Sequence, residues 1–433
     1  MSYSIDSSPA RPAVPAAGRR VARYTPFCRA VFGLLLLPVL VSCDNGNYGY
    51  CYNCGVPPTE ISLGVVTGNF NGTPFASHSV VALSALQPWA PNSGNLKVYL
   101  ATGPSTFASP VYVADGDNPL YEASTDLNGD GLPDVVSASF ADGTLAVFFN
   151  DKSSPGTLNT PVVLFSPGAS QLAIGDMNHD GLPDLVSADY GVSLFIQSSP
   201  GAFAAPISLY PGGANWVAVG DLNGDGNLDV ALTDATGVKV LLHTGAASAT
   251  TYAAPVSVFT QSANAYVTGA NLIAIADVNG DGANDLVITD PGPSGGMTPT
   301  VNILLQNKVS PGTFLAPVSY PIAAQDLSQS IVVTDVDGDG RPDILIGGQQ
   351  TVTVLLQSHA PAAPGTYMAA TVYAAPGANE IAVADVNGDG KPDIVVSNGV
   401  THPTVNGVVT TNPGVLLQSN TSPGSFEALQ NLP

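Results

Sequence analysis

From residue 61 to the end of the chain, short apolar runs alternate with turns rich in Gly, Pro, Asn and Asp. The apolar runs are mostly β-branched or aliphatic, as in Leu172-Ala173-Ile174 and Ile381-Ala382-Val383. No stretch after Glu60 keeps the 3.6-residue periodicity of an amphipathic helix. The pattern predicts an all-β fold made of short strands and tight turns.

One sequence unit occurs six times, starting at Asp126, Asp176, Asp221, Asp277, Asp335 and Asp385, at intervals of 50, 45, 56, 58 and 50 residues. Each unit holds an apolar run, an acidic loop, two further runs, a Pro-Gly turn in most copies and a fourth run. Four strands in such a length form one β-propeller blade. An open solenoid of the same units is the alternative.

A degenerate unit precedes the six. Ile61–Val66 resembles a first strand, and Asn69–Gly72 resembles a loop without carboxylates. Leu96–Leu100 and Phe107–Pro110 match the third and fourth strands. We therefore predict a seven-bladed β-propeller of four-stranded antiparallel blades over residues 61–433. We expect the ring to be closed, because closure removes the sheet edges that would otherwise invite aggregation.

The residue before each acidic loop is small, as expected for an innermost strand near a crowded axis. These residues are Thr125, Gly175, Gly220, Ala276, Thr334 and Ala384.

The acidic loop has the consensus D-x-(N/D)-x-D-G-x-x-D. Positions 1, 3 and 5 can point short oxygen-bearing side chains at one centre, a Gly at position 6 permits positive φ, and position 9 closes the shell. Calcium takes six to eight oxygens in flexible geometry, whereas magnesium demands a stricter octahedron. We predict up to six structural calcium ions, with position 7 adding its backbone carbonyl.

The predicted ligands share these five positions in every copy. They are Asp126, Asn128, Asp130, Leu132 and Asp134; Asp176, Asn178, Asp180, Leu182 and Asp184; Asp221, Asn223, Asp225, Asn227 and Asp229; Asp277, Asn279, Asp281, Ala283 and Asp285; Asp335, Asp337, Asp339, Arg341 and Asp343; and Asp385, Asn387, Asp389, Lys391 and Asp393.

The fifth copy alone has four carboxylates, so we expect it to bind calcium most tightly. His179 replaces Gly at position 4 of the second copy, and we interpret it as solvent-facing. An EF-hand is excluded because it needs Glu at position 12 and flanking helices. Position 12 here is Ser137 in the first copy and never Glu, and strands follow.

The repeat resembles the FG-GAP/VCBS family, which also builds the head of integrin α-subunits. The FG-GAP motif itself is present in degenerate form, as G-A-F-A-A-P from Gly201 and G-T-F-L-A-P from Gly312. The resemblance covers nearly all of the chain after the leader. It implies a β-propeller that binds calcium in its acidic loops.

Residues 1–42 have the pattern of a secretory signal: a basic stretch, then an apolar run from Ala30 to Val41, which is shorter than the roughly 20 residues of a spanning helix. Leu40-Val41-Ser42-Cys43 resembles the lipobox of bacterial lipoproteins, which implies lipidation at Cys43. We expect a protein anchored by lipid to a membrane of the cell envelope, on the periplasmic face or at the cell surface; plain secretion is the alternative.

Residues 43–60 are predicted to be a tether. In an oxidising compartment Cys51 and Cys54 can form a small disulfide loop.

Removal of residues 1–42 leaves 6 basic side chains against 32 carboxylates, a net charge of −26. Such a surface repels phosphate backbones, so nucleic acid is excluded as a partner. The 45% hydrophobic content excludes a disordered chain. Six calcium ions would bring the charge to about −14.

No catalytic residue is predicted. Gly292–Gly296 matches the G-x-S-x-G pattern, but it lies in a Pro/Gly-rich insertion between strands and not between a strand and a helix. Insertions at residues 87–95, which include Trp89, at 291–300 and at 399–413 are typical places for binding function. We predict a module that binds an unknown protein or glycan; a polysaccharide lyase-like enzyme and a purely structural surface protein are the alternatives.

Overall fold

The computed structural model of the protein describes residues 59–72, 78–87, 94–104, 106–116, 119–245, 251–260, 272–290, 299–322, 328–358, 365–397 and 412–432. All of these residues belong to one compact unit, Phe32–Pro433. They contain strands and turns, and none of their segments is a helix able to cross a membrane.

The strands form seven four-stranded antiparallel sheets, each built from one continuous stretch of chain. The first three blades contain β1 (Thr59–Gly68), β2 (Ser79–Gln87), β3 (Asn95–Tyr99) and β6 (Val111–Ala114); β7 (Pro119–Thr125), β8 (Asp134–Ser139), β9 (Thr144–Phe148) and β10 (Val162–Phe165); and β11 (Gln171–Gly175), β12 (Asp184–Ala188), β13 (Val192–Phe195) and β16 (Ile207–Tyr210).

The other four blades repeat this order. They contain β17 (Trp216–Gly220), β18 (Asp229–Asp234), β19 (Gly237–Leu241) and β20 (Val256–Thr260); β21 (Ile273–Ala276), β22 (Asp285–Asp290), β23 (Thr300–Leu304) and β24 (Val318–Pro321); β25 (Ser328–Thr334), β26 (Asp343–Gly348), β27 (Thr351–Leu355) and β28 (Thr371–Ala374); and β29 (Ile381–Ala384), β30 (Asp393–Val396), β31 (Gly414–Leu416) and β32 (Gln430–Asn431).

The ring closes by packing of the last blade on the first. The first strands of neighbouring blades contact each other, and β1 contacts both β7 and β29. One buried cluster joins Val65 and Val80 of blade 1 to Val386 and Val395 of blade 7. The predicted seven-bladed β-propeller is confirmed, and closure buries apolar surface that an open solenoid would expose.

Two small residues lie where the inner strands crowd one another. A Cβ added to Gly175 would lie 2.7 Å from Leu228 Cδ1, and one added to Gly220 would lie 2.7 Å from Ile275 Cγ2. Both neighbours belong to the next blade. The small residue before the loop is therefore needed for contact between blades at these two positions.

The fourth strand of blade 1 does not lie where the sequence predicted it. Phe107 belongs to a two-residue strand, β5 (Thr106–Phe107), which pairs with β4 (Ala101–Gly103) in a small hairpin. The strand that completes the blade begins after Pro110, at Val111, and pairs with β3. Pro110 lacks the N–H that a ladder requires, so the strand starts beyond it. A similar hairpin in blade 3 joins β14 (Gln197–Ser199) to β15 (Ala202–Phe203).

Candidate metal centres in the acidic loops

Each acidic loop connects the first strand of a blade to the second, so all six loops lie at the same end of the ring. The Asp at position 1 folds the loop around its own carboxylate. Asp126 Oδ1 accepts the N–H groups of Gly129 at 2.7 Å and Asp130 at 3.1 Å, and Oδ2 accepts that of Gly131 at 2.8 Å. The bond from position 6 recurs in every copy.

Positions 3 and 5 continue this arrangement. Asn128 Oδ1 accepts the N–H of Asp130 at 2.9 Å, and Asp130 Oδ1 accepts that of Leu132 at 2.9 Å. The second bond recurs at every position 7 and fixes the residue whose carbonyl is the predicted ligand. Asn128 Oδ1 and Asp130 Oδ1 each accept one hydrogen bond here, so each keeps a lone pair for a cation.

Two positions of the loop require positive φ. Gly129 has φ 75° and Gly131 has φ 92°, so the expectation for position 6 is confirmed and position 4 has the same need. His179 occupies position 4 of the second loop with φ 58°, among the described residues the one non-glycine with positive φ. It is exposed, as predicted.

The Asp at position 9 is the buried member of each loop. Asp343 is 1% exposed; its Oδ2 accepts the N–H of Val336 at 3.0 Å and its Oδ1 that of Gln357 at 2.7 Å. Val336, at position 2, is itself fully buried. The pair therefore ties the loop to the end of the third strand and to the core.

Burial raises the pKa of each of these position-9 carboxyls to about 6, because the charged form loses its water. The two N–H bonds oppose the rise, and other carboxylates of the same loop add to it. The groups concerned are Asp134, Asp184, Asp229, Asp285, Asp343 and Asp393.

The fifth loop brings three carboxylates to one point. Oxygens of Asp335, Asp337 and Asp343 lie within 4.8 Å of one another, the one such group in the described part of the chain. Calcium ligands lie about 2.3–2.6 Å from the ion, so any two of them are separated by at most about 5 Å. The donor set fits calcium. The other loops place an Asn amide oxygen at position 3, where this loop has Asp337.

An amide at the end of the third strand connects neighbouring loops, a role that sequence reasoning missed. Gln357 Nε2 donates to Val278 O of the preceding blade's loop at 2.6 Å, and its backbone N–H binds Asp343. Gln418 likewise reaches Val336 O, and Asn150 reaches Phe70 O at 2.8 Å. The recurrence of Gln or Asn at this position was the available signal.

Two lysines supply positive charge to the loops. Lys152 Nζ donates to Asp130 O at 2.6 Å. Lys308 Nζ donates to Asp281 O and lies 3.7 Å from Asp281 Oδ1. Both residues follow the third strand of their blade, and both bonds are solvent-exposed, so they compensate the loop charge only weakly.

Blade 1 has the same turn without the charge. Phe70 is fully buried at the position of Val336, and Asn71 Nδ2 donates to Ala101 O at 2.9 Å. The prediction of a degenerate loop is confirmed. This turn has no carboxylates, and hydrogen bonds such as that of Asn71 to Ala101 O hold its shape instead.

Residues 126–187, 176–232, 221–288, 277–346 and 335–396 each match the family described as FG-GAP-like repeat. Together these matches cover more than half of the chain. The protein belongs to the FG-GAP-like repeat family. Each match runs from the first Asp of one acidic loop to the second strand of the following blade, so the family's unit contains the loop.

No curated protein sequence matches the chain. Among solved structures, this FG-GAP propeller is similar to an Agrocybe aegerita lectin that recognises non-reducing terminal N-acetylglucosamine, with 17% identity over 73% of this chain and 80% of the lectin and a TM-score of 0.48. It is also similar to the V. cholerae biofilm matrix protein Bap1, with 12% identity over 79% of this chain and 84% of that protein and a TM-score of 0.41.

Several predicted features lie outside the described residues. They are Cys43, Cys51 and Cys54, Trp89, the Gly292–Gly296 pattern, and all but the ends of the three insertions. Trp216, by contrast, is described, and it has a packing role at the start of an inner strand. Its Nε1 donates to Ile273 O at 3.1 Å, and its ring packs edge-on against Tyr121 at 5.6 Å between centroids.

Positions 3 and 9 of the fifth loop should respond differently to the change from Asp to Asn. Asp343→Asn leaves one buried N–H facing an amide NH2, so we expect a loss of about 1–3 kcal/mol in the free energy of unfolding even without metal. Asp337→Asn reproduces the Asn of the other loops and should leave the metal-free stability unchanged. Urea unfolding of both variants in metal-free buffer measures the difference; equal losses would contradict the assignment.

The buried carboxyls also predict opposite pH trends with and without metal. Their pKa of about 6 in the folded protein exceeds the ordinary value of 3.8, so the folded state binds more protons between these values. Stability of the metal-free protein therefore falls as pH rises from about 4 through 6. Lowering the pH from 7 to 5 should raise its melting temperature, whereas with calcium it should fall, because protons displace the ion. Thermal melts at both pH values check this, and one shared trend would refute it.

Proposed function

We propose that this protein is a calcium-stabilised β-propeller, anchored by lipid at the cell envelope, that binds a protein or glycan ligand. The FG-GAP propeller fold supports a binding module. The observation that carries the calcium assignment is the convergence of Asp335, Asp337 and Asp343 in a loop whose hydrogen bonding recurs in the other five copies.

Calcium would be held by positions 1, 3, 5 and 9 and the position-7 carbonyl of each loop. When bound, it supplies positive charge at a point where three or four carboxylates otherwise repel one another. Extracellular calcium modules commonly have dissociation constants of 10⁻⁴–10⁻³ M. At ten times that concentration each ion stabilises the fold by about 1.4 kcal/mol, so six ions together rival a typical total stability of 5–15 kcal/mol.

Removal of calcium should lower the melting temperature by about ten degrees or more, because the protein would lose the stabilisation of about 1.4 kcal/mol that each ion supplies. The purified protein is dialysed against chelator, and its thermal melt is recorded before and after calcium is restored. Isothermal titration should then find up to six ions, with the fifth loop tightest. Asp337→Asn should reduce the tightest class to the affinity of the rest.

Magnesium at the same concentration is the control. It should restore little of the stability, because magnesium requires a nearly ideal octahedron of ligands and gives up its water reluctantly. A melt that is unchanged by the chelator would end the calcium assignment.

Cys43 is the proposed lipid site, and the leader offers a matched control. In a bacterial host that processes lipoproteins, Cys43→Ala should abolish incorporation of labelled palmitate and release the protein from the membrane fraction. Cys28→Ala lies within the proposed signal and should change neither. Membrane association that survives Cys43→Ala, or labelling lost equally in both variants, would contradict lipidation at this residue.

A further inference from the structure

A pocket of about 640 Å³ lies at the loop end of the ring, where blades 1, 2, 6 and 7 meet. Blade 1 carries the turn without carboxylates, so the row of acidic loops is interrupted here. The loops that begin at Asp126 and Asp385 form the two flanks. The volume is within the range of small-ligand sites, about 300–1,000 Å³.

The lining combines hydrogen-bonding groups with apolar surface. Thr67 and Asn69 come from blade 1, and Thr334 comes from the end of the inner strand of blade 6. Leu132, Pro133 and Val383 supply apolar surface beside them. The polar groups belong to different blades, so a compact ligand with hydroxyl groups around its ring can bind several of them at once while its C–H faces meet the apolar residues.

His78 is held rigidly at one wall. Its backbone N–H donates to Asp385 O at 3.1 Å, and its Nδ1 lies 3.1 Å from the same oxygen. A carbonyl only accepts, so Nδ1 carries a proton in this contact. These two hydrogen bonds to blade 7 join residues 307 positions apart and fix the orientation of the imidazole ring before any ligand binds.

The charge of the walls favours a neutral ligand. In the calcium-loaded protein the loops that begin at Asp126 and Asp385 would each keep three carboxylates against two positive charges. The residual charge of about −1 per loop repels an anionic sugar and attracts a cation only weakly. The lining includes Lys391, but its ammonium is bonded to Asn420 Oδ1 at 2.8 Å.

We propose that this pocket binds the end of a neutral oligosaccharide, with the hydroxyls of Thr67 and Thr334 and the imidazole of His78 as its polar contacts. This inference rests on the proposed binding function and names its ligand class and place. The loops flanking the pocket are the two that border the carboxylate-free blade, so the same interruption that removes a calcium loop provides the space.

The test uses the calcium-loaded mature protein and a panel of neutral oligosaccharides of two to four units, beside uronic-acid and amino-sugar oligosaccharides of equal length. Titration calorimetry should find saturable binding of at least one neutral member. Thr334→Val and Thr67→Val keep the side-chain shape and remove one hydroxyl, and each should weaken binding about fivefold.

Thr125→Val is the matched control, because Thr125 occupies the equivalent strand end of blade 2 and does not line the pocket. It should leave the affinity unchanged. All three variants should retain the calcium stoichiometry and melting temperature of the parent, which shows that they fold.

Calcium binding without any neutral saccharide binding would overturn the pocket assignment and leave the calcium assignment intact. A preference for the charged oligosaccharides, or neutral binding that neither pocket variant weakens, would overturn it as well. Failure to bind calcium is a separate result, which contradicts the proposed function itself.

Discussion

Repulsion between the carboxylates gathered at the inner end of six of the seven blades is the interaction on which the rest of the structure depends. In the fifth loop, position 1 accepts the N–H groups of positions 4 to 6 and position 9 accepts two more from inside the core. The bond from position 6 to position 1 recurs in all six acidic loops. These donors shape the loop but do not offset burial and the neighbouring carboxylates, because the pKa of the position-9 carboxyls remains raised. A divalent cation is the complement that we propose for this arrangement.

The same loops are also joints between blades. Gln357 binds its own loop through the backbone and the previous loop through its side chain, so neighbouring sites share one rigid element. Position 2 contributes a buried apolar side chain, such as Val336, to the contact between blades. The predicted metal ligands therefore lie on the same short loops that carry the hydrogen bonds and apolar contacts between blades.

Blade 1 shows how the scaffold changes when the charge is absent. Phe70 is buried like the position-2 residue of the acidic loops, and Asn71, at position 3, donates a hydrogen bond to Ala101 O. This turn brings no carboxylates to the loop end of the ring, and a pocket with mixed polar and apolar walls lies beside it. Six blades repeat the acidic loop, and the pocket lies beside blade 1, the blade that lacks it.

By itself, the sequence determined the strands, the blade number and the oxygen-bearing positions of all six loops, because these depend on local periodicity and on spacings of nine residues or fewer. It misplaced the outer strand of blade 1 near Phe107, where the choice between two adjacent runs depends on pairing with β3. Only the tertiary structure decided that Asp343 is buried, that Gln357 reaches Val278 and that His78 meets Asp385. Those contacts exist because closing the ring brings together residues that lie far apart along the chain.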